Sequence, residues 1–361
     1  MSWHLDDPDA VMENLPLRRK QLMLAMCAMH LFAGNSIFCK SLKSATIKMC
    51  IHAIASFVAL FDGTHQWDIR KDNPTDQAIG QLLKKVFAEI DRCEKVPERR
   101  EPFSPEMCNE AKSRAAAAAS ADPDGIDVVL GDWFEIGLMS GDRKCEWAQE
   151  NSRSDIRYPD LNLFGDPTAF CLLDIRIETI FRHRHVGADI LIPPLHHIRK
   201  MWVKFRTQKN GHHGEERMFT LNPRDEGRDL VKPMRRVVAR FVALHGAKDI
   251  TTPLAIYRSK KHGDIRFVVA NDIEESMRSI ASALYKLDPI KDKKALQRWS
   301  AHSLRVGACV LLHGMGFTTT QIQWLLRWAS DAFKVYLRNM TILADAQHRA
   351  LDKAAAMPHF C

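Results

Sequence analysis

Residues 94–105 divide this chain into two parts with different patterns. The segment reads Glu-Lys-Val-Pro-Glu-Arg-Arg-Glu-Pro-Phe-Ser-Pro, with three prolines, a run of charges and few apolar residues. Proline removes a backbone donor and disfavours helix in the residue before it, so such a stretch interrupts regular structure. The sequence therefore predicts a linker here, with one folded domain over residues 15–98 and a second over residues 99–361.

The part before the linker has a helical pattern throughout. Apolar residues recur at intervals of three and four over residues 21–32, 46–61 and 78–90. This spacing places them on one face of each helix, which predicts a small helical bundle. Several lysines fall on or beside these helices: Lys40, Lys43, Lys48, Lys84 and Lys85. They are candidate phosphate contacts, and a solvated outer face is the alternative interpretation.

The second part mixes helices with a few strands. Ser104 followed by Pro105 is a typical helix start, and Gly141 ends a helix predicted over residues 128–139. Periodicity predicts two further helices over residues 231–244 and 273–284. Alternation predicts strands over residues 171–182, 201–206 and 217–221, of which the last two form a hairpin with a polar tip. The expected fold class is mainly α with a small antiparallel β-sheet.

Composition favours a soluble protein with an anionic partner. The chain has 361 residues, a formal net charge of +8 and a pI near 9.0, which favour a polyanion, although solvated basic faces are common. Nine cysteines show no C-x-x-C spacing, which indicates reduced thiols in an intracellular protein. The first fifteen residues lack the pattern of a signal peptide, and charged residues interrupt every apolar stretch. We therefore expect no membrane association.

A histidine and an arginine lie three residues apart in a helical segment. His302 and Arg305 share one helix face, so both can direct donors at a single anion. Tyr336 follows on a short polar turn and is a candidate nucleophile towards that anion. A second arginine, Arg143, completes a charge clamp, because guanidinium is always protonated and forks onto two oxygens. This set suits the cleavage of a phosphodiester without a metal.

Two more residues complete the chemistry. The departing 5′ oxygen needs a proton, and Lys209 at the hairpin tip is the candidate general acid. Trp328 is a candidate hydrogen-bond donor that also walls the pocket against water. Lys204 on the adjacent strand and the pair Lys260 and Lys261 are alternatives for the lysine. A core role for Tyr336 is also open, and Trp324 is expected in the core.

At these positions the chain resembles the tyrosine recombinases, the phage-integrase family. The matching residues arrive in the family's order: Gly141-x-Arg143-x-x-Glu146, Thr207-Gln208-Lys209-Asn210, His302-x-x-Arg305, Trp328 and Tyr336. The Trp-Ala-Ser-Asp-Ala-Phe-x-x-Tyr ending and Arg100-Glu101-Pro102-Phe103 resemble most closely the recombinases of crypton- and DIRS-like mobile elements. His-x-x-Arg alone is a weak signal, whereas the full ordered set is strong.

The resemblance implies a fold and an activity. The implied fold is a two-domain clamp on double-stranded DNA, with a helical core-binding domain and an α+β catalytic domain. The implied reaction is DNA cleavage and rejoining through a 3′-phosphotyrosyl intermediate, for recombination or integration of a mobile element, with Glu146 supporting the site. Lys204 and Arg206 are further candidate DNA contacts. The tail after Tyr336, residues 337–361, implies a homotetramer on DNA, in the nucleus if the source is eukaryotic.

Two other functions are compatible with these residues. One is relaxation of supercoils of the type IB topoisomerase kind, and another is a domesticated DNA-binding protein without catalysis. Arg143 and Glu146 are also spaced for an exposed helix ion pair. Histidine pairs at 183 and 185, 196 and 197, and 212 and 213 suggest zinc, but their spacing does not fit a structural site. We therefore expect no metal and no cofactor.

Overall fold

The computed structural model describes most of the chain. The described residues are 17–34, 42–62, 77–93, 99–150, 154–181, 184–186, 192–206, 213–222, 229–328 and 330–337. Backbone contacts divide the chain into two compact units, Met1–Pro97 and Glu98–Cys361. Each unit has its own buried core, and each is described here by itself.

The first unit contains three described helices, at the positions that the apolar periodicity predicts. They are α1 (Leu17–Phe32), α2 (Ser44–Asp62) and α3 (Gln77–Cys93). Leu24, Ile47, Ile51, Leu83 and Ile90 are buried together where the apolar faces meet. Burial of these faces holds the bundle, because isolated helices of this length are marginal in water.

Two packed helices begin the second unit, and the second of them is almost entirely buried. Helix α4 (Pro105–Ala119) starts at Ser104, whose side chain accepts a hydrogen bond from the Met107 backbone N–H at 3.2 Å. Helix α5 (Ile126–Ser140) packs against it and is buried on most sides. Gly141 ends α5 with a φ of +63°, a left-handed conformation that glycine adopts at little cost. This ending is the one that the sequence predicts.

The second half of the predicted linker is docked onto the second unit. Phe103 is fully buried, and its backbone N–H donates to the Ser303 carbonyl at 2.9 Å. A Cβ at Gly307 would lie 2.1 Å from the Phe103 carbonyl oxygen, so only glycine permits this approach. Residues 99–104 are therefore part of the fold, whereas residues 94–98 lie outside the described residues.

A four-stranded antiparallel sheet covers one side of the second unit. Its strands are β1 (Ile175–Thr179), β2 (Arg184–Val186), β3 (Ile198–Phe205) and β4 (Glu215–Thr220), in the order β2-β1-β3-β4. The predicted hairpin corresponds to β3 and β4, with Val203 opposite Arg217, while its tip lies outside the described residues. The strand predicted from residue 171 is wrong at its start. Residues Leu172–Asp174 form a 3₁₀ turn, because the Asp174 carboxylate accepts from the Cys171 backbone N–H at 2.9 Å.

The remaining elements complete the second unit. In chain order they are α6 (Lys144–Trp147), 3₁₀ turn Leu195–His197, α7 (Val231–His245), β5 (Ile256–Arg258), β6 (Ile265–Phe267), α8 (Ala270–Tyr285), α9 (Lys293–Leu296), α10 (Ser303–Gly314), α11 (Thr319–Leu325) and 3₁₀ helix Asp331–Tyr336. The predicted fold class, mainly α with a small antiparallel sheet, is confirmed. Within the described ranges, no helix has the length and apolar content needed to cross a membrane.

Candidate active site

A basic cavity of about 770 Å³ opens at the start of helix α10. Four cationic side chains and three carboxylates contribute to its lining, together with a histidine and a tryptophan. The residues of this set are Arg100, Arg143, Lys144, Arg305, Asp142, Glu150, Glu274, His302 and Trp328. Arg143, His302, Arg305 and Trp328, all predicted from sequence, therefore line one cavity. It is large enough for a phosphodiester group and its neighbouring sugars.

Arg305 is held rigidly at the floor of this cavity. It is only 2% exposed, and its guanidinium donates to the Gly141 carbonyl at 2.5 Å and to the Leu326 carbonyl. The Trp328 ring covers the guanidinium, with 4.3 Å between Cζ and the ring centroid. Burial, followed by the nearby Arg143, lowers the pKa of Arg305 to about 9. Arg305 therefore remains a cation at neutral pH.

Arg143 lies two residues after the glycine that ends α5, and it is the N-cap residue of the short helix α6. The Glu146 carboxylate accepts from the Arg143 backbone N–H at 2.7 Å and from its Nη1 at 2.9 Å. The side chain of Glu146 is 6% exposed, so this pair is not the exposed helix ion pair considered from the sequence. The two bonds fix the guanidinium of Arg143 towards the cavity from both its backbone and its side chain.

His302 and Tyr336 meet directly. The His302 Nε2 lies 2.9 Å from the Tyr336 hydroxyl oxygen. Burial lowers the pKa of His302 to about 4, and Arg305, Arg100 and Arg143 contribute further, although part of the residue is exposed. Burial also raises the pKa of Tyr336, against the opposing effect of Arg305. At neutral pH a neutral imidazole therefore faces a protonated phenol, an arrangement in which the histidine can accept the hydroxyl proton.

A small apolar cluster positions the tyrosine. Phe333 and Leu337, on either side of Tyr336 in the chain, are buried against Cys309, Ile322 and neighbouring residues. The Tyr336 ring centroid lies 6.0 Å from that of Trp328. Buried residues on both sides of Tyr336 therefore hold its backbone next to the histidine.

The indole nitrogen of Trp328 has no described hydrogen-bond partner. Its Nε1 is buried, and no hydrogen-bond acceptor for it is found among the described residues. A buried N–H without an acceptor costs roughly 1–3 kcal/mol, which an incoming phosphate oxygen would recover. Trp328 thus combines a ring that covers Arg305 with a donor for an anion.

Sequence reasoning missed two arginines of this site. Arg327 lies behind the cavity, with its Nη2 at 2.9 Å from Glu146 and 3.2 Å from Asp142. Arg100 lines the cavity, and its Nη1 donates to the Gln297 carbonyl at 2.7 Å. Arg327 directly precedes Trp328, and Arg100 belongs to the motif that opens the second domain. Their adjacency to motif residues was the available signal.

Other predicted residues lie apart from this arrangement. Lys209 is outside the described residues, and Lys204 is exposed on β3. Arg206 is bound within the fold, to the Asp174 carboxylate at 2.8 Å and the Ala169 carbonyl at 2.8 Å, so its guanidinium is less available to a phosphate than predicted. The core position expected for Trp324 is wrong. This side chain is 68% exposed, because it stacks on Arg217, whose Cζ lies 4.3 Å from its ring centroid.

In the first unit, the predicted lysines differ in their surroundings. Lys43, Lys84 and Lys85 are exposed. Lys48 forms an ion pair with Asp91 at 2.6 Å, which reduces its availability to another anion. Lys40 lies outside the described residues.

Metal-ligand geometry is not found in the described part of the chain. No group of three or more His, Cys, Asp or Glu side chains there has an arrangement suited to a metal ion. The described cysteines, at positions 27, 50, 93, 108, 145, 171 and 309, are free thiols. The cavity is lined by cations, carboxylates, a histidine and a tryptophan, and Tyr336 contacts it through His302.

Comparison with known proteins gives structural similarities but no sequence match. No protein-family profile matches this sequence, and no curated protein is similar to it. The structure of XerA recombinase aligns over 95% of both chains, with 13% identity and a TM-score of 0.36. Two structures of the Tn1549 transposon integrase align over 94% and 96% of this chain and 86% and 97% of those chains. One contains a circular-intermediate DNA (13% identity, TM-score 0.41) and the other a transposon right-end DNA (11%, 0.37). Because these identities and TM-scores are low, we base no functional conclusion on them.

Proposed function

We propose that this protein cleaves and rejoins DNA strands through a 3′-phosphotyrosyl intermediate, with Tyr336 as the nucleophile. One observation carries the proposal: the Tyr336 hydroxyl lies 2.9 Å from the His302 Nε2, beside a cavity that Arg143 and Arg305 line. A nucleophile, a proton acceptor and two fixed cations are the parts that transfer of a phosphoryl group to a tyrosine requires.

In the proposed cleavage step, the Tyr336 oxygen attacks the phosphorus of a backbone phosphodiester, and its proton passes to the His302 Nε2. The bond from phosphorus to the 5′ oxygen breaks, and that oxygen takes a proton from a general acid, for which Lys209 is our candidate. The products are a 3′-phosphotyrosyl bond and a free 5′ hydroxyl. Attack by a 5′ hydroxyl on the phosphotyrosine reverses these steps and rejoins a strand.

The arginines would stabilise the charge that develops on phosphorus. Arg143 and Arg305 would bind the non-bridging oxygens, and the Trp328 indole N–H would donate to one of them. Burial is the main reason for the low pKa of His302, and a bound phosphate would oppose the further lowering by Arg305, Arg100 and Arg143. The bound anion thereby makes His302 a stronger base when the substrate is in place.

Double-stranded DNA is the partner that we propose for this chemistry, and the net charge of +8 suits it. We propose recombination or integration of a mobile element as the context, on the basis of the motif resemblance. Lys43, Lys84, Lys85 and Lys204 are exposed and suited to phosphate contacts. We also propose a homotetramer on DNA, by analogy with tails of this family that dock on a neighbouring protomer. The tail of this chain lies outside the described residues after Leu337.

Trapping of the covalent intermediate on a suicide substrate tests the proposal. In a nicked duplex, cleavage releases the short fragment that carries the new 5′ hydroxyl. Rejoining then fails, and a protein–DNA adduct accumulates. Wild type and Tyr336→Phe are compared in EDTA, with adduct detected on denaturing gels. Tyr158→Phe is the matched control, because Tyr158 is 54% exposed and its ring lies against Arg157, whereas the Tyr336 hydroxyl contacts His302.

The expected result is an adduct with wild type and with Tyr158→Phe, and none with Tyr336→Phe. An adduct that survives in Tyr336→Phe would refute the assigned nucleophile. Tight DNA binding without any adduct would favour the non-catalytic DNA-binding protein. If adduct forms, strand exchange between two sites by an oligomer indicates a recombinase, and relaxation of supercoils by a monomer indicates a topoisomerase.

A further inference from the structure

We propose that Arg327 is a positioning residue that sets the spacing of Arg143 and Arg305 in the phosphate-binding cavity. Arg327 itself does not line the cavity; it acts on both arginines from behind, through its side chain and through its main-chain carbonyl. The inference deepens the proposed function and rests on it for the identity of the anion. Its geometric content, the spacing of a two-arginine anion site, can be tested separately.

The side chain of Arg327 holds the carboxylate that holds Arg143. Its Nη2 lies 2.9 Å from the Glu146 Oε2 and 3.2 Å from the Asp142 Oδ1, and the side chain is 1% exposed. The same carboxylate oxygen of Glu146 accepts from the Arg143 backbone, while its other oxygen accepts from the Arg143 Nη1. Glu146 is therefore fixed from two sides, and loss of Arg327 would free it to move with Arg143.

The backbone of Arg327 contacts both arginines. Its carbonyl oxygen lies 3.4 Å from the Arg143 Nη2 and 3.4 Å from the Arg305 Nη2, two long hydrogen bonds to a shared acceptor. The preceding carbonyl, of Leu326, also accepts from Arg305. The Leu326 carbonyl thus accepts from Arg305, and the Arg327 carbonyl accepts from both arginines. This shared acceptor holds two guanidiniums of like charge close together.

An unusual backbone conformation makes this arrangement possible. Arg327 has a φ of +55°, in the left-handed region that side-chain-bearing residues rarely adopt. A glycine would adopt it at lower cost but would supply no cation between the buried carboxylates. Contact with Phe205, whose ring centroid lies 3.4 Å from the Arg327 Cζ, fixes the guanidinium on its remaining side. The strain is therefore retained where both the turn and the side chain are needed.

Charge balance is the competing explanation for Arg327. Asp142 and Glu146 are both buried, and removal of a cation between them is unfavourable whatever happens to the arginines. A double substitution separates the two explanations. Arg327→Met removes a cation, and Arg327→Met with Asp142→Asn removes a cation and an anion together. Positioning predicts a defect in both variants, whereas charge balance predicts recovery in the second.

The experiment measures two quantities on the full chain. The first is the affinity for inorganic phosphate, by calorimetry or phosphorus NMR, which requires no catalysis. The second is the rate of adduct formation on the suicide substrate at saturating DNA. Arg240→Met is the matched control, because Arg240 also pairs with a buried carboxylate, that of Asp132 at 2.9 Å, away from the cavity. Thermal unfolding confirms that each variant is folded.

We expect phosphate affinity and adduct rate to fall at least about tenfold in both Arg327 variants, with DNA affinity and Arg240→Met nearly unchanged, because small displacements of catalytic groups have effects of this size. The inference would be overturned if Arg327→Met bound phosphate as tightly as wild type. It would also be overturned if the double variant recovered the phosphate affinity and the adduct rate of wild type. Absence of phosphate binding by wild type would also overturn it. If Arg327→Met weakens phosphate binding while wild type forms no adduct, the positioning role stands and the proposed function fails.

Discussion

Replacement of Asp142 by asparagine tests the electrostatics of the cavity most directly. Asp142 is 3% exposed, and burial raises the pKa of its carboxyl from 3.8 to about 6. Arg327 opposes this shift, and Glu146 adds to it. Asparagine has nearly the same shape and does not ionise. The substitution therefore removes the titration and leaves most of the packing in place.

The size and sign of the effect follow from the pKa shift. The folded protein binds more protons than the unfolded chain between about pH 4 and pH 6, so the ionisation of Asp142 lowers stability as pH rises through this window. A shift of about two pKa units corresponds to about 3 kcal/mol. The free energy of unfolding of Asp142→Asn, relative to wild type, should therefore rise by up to about 3 kcal/mol from pH 4 to pH 7.

Urea unfolding followed by tryptophan fluorescence measures this difference at half-unit steps of pH. Six of the eight tryptophans lie in the second unit, so the signal reports mainly on the part that contains Asp142. Asp155→Asn is the control. Arg157 holds the pKa of Asp155 at about 2, so its titration lies below this range and its difference from wild type should stay constant.

A difference that is flat with pH for Asp142→Asn would refute the raised pKa. A difference that falls with rising pH would show that the fold stabilises the ionised form, through Arg327, more than burial opposes it. Either result would show that burial does not destabilise the ionised form of Asp142 as the raised pKa implies. Asp142→Asn also weakens the contact with Arg327, and this adds a pH-independent difference to the free energy of unfolding. The test therefore uses only how the difference in this free energy changes with pH.

Single substitutions at Gly307, Trp328 and Lys209 give three further tests. Gly307→Ala should destabilise the second unit by about 1–3 kcal/mol, measured by urea unfolding, because its Cβ would meet the Phe103 carbonyl at 2.1 Å; an unchanged midpoint would show that the docked segment moves freely. Trp328→Phe should slow adduct formation about tenfold while leaving the melting temperature close to that of wild type, because it keeps a ring and loses the N–H donor; an unchanged rate would remove the indole from the chemistry. Lys209→Ala should slow cleavage of a normal duplex but not of a 5′-bridging phosphorothiolate, whose sulfur leaves without a proton, whereas the same pattern in Lys204→Ala instead would reassign the general acid.

Local pattern was sufficient for most of the helices and for the hairpin. The periodicity that predicts residues 231–244 and 273–284 corresponds to helices Val231–His245 and Ala270–Tyr285. The start of β1 was mistaken, because an Asp174 hydrogen bond closes a turn that alternation of apolar residues does not reveal. The core position predicted for Trp324 is also wrong. An aromatic residue with apolar neighbours in the sequence suggests a buried side chain, whereas its contact with Arg217 appears only in the structure. Errors of both kinds arise from side-chain contacts outside the periodic pattern.

The sequence by itself determined the order and spacing of His302, Arg305, Trp328 and Tyr336, since these residues lie on short neighbouring elements within one stretch of chain. It also determined that Gly141 would end a helix two residues before Arg143, because that requires only a local backbone conformation. Tertiary structure alone decided how Arg327 binds Asp142 and Glu146, which are 185 and 181 residues away along the chain. Spacing along a helix or strand predicts contacts between near neighbours, whereas contacts at such separations exist only after helices α5 and α10 have packed. The buried network behind the two arginines is therefore a property of the packed core.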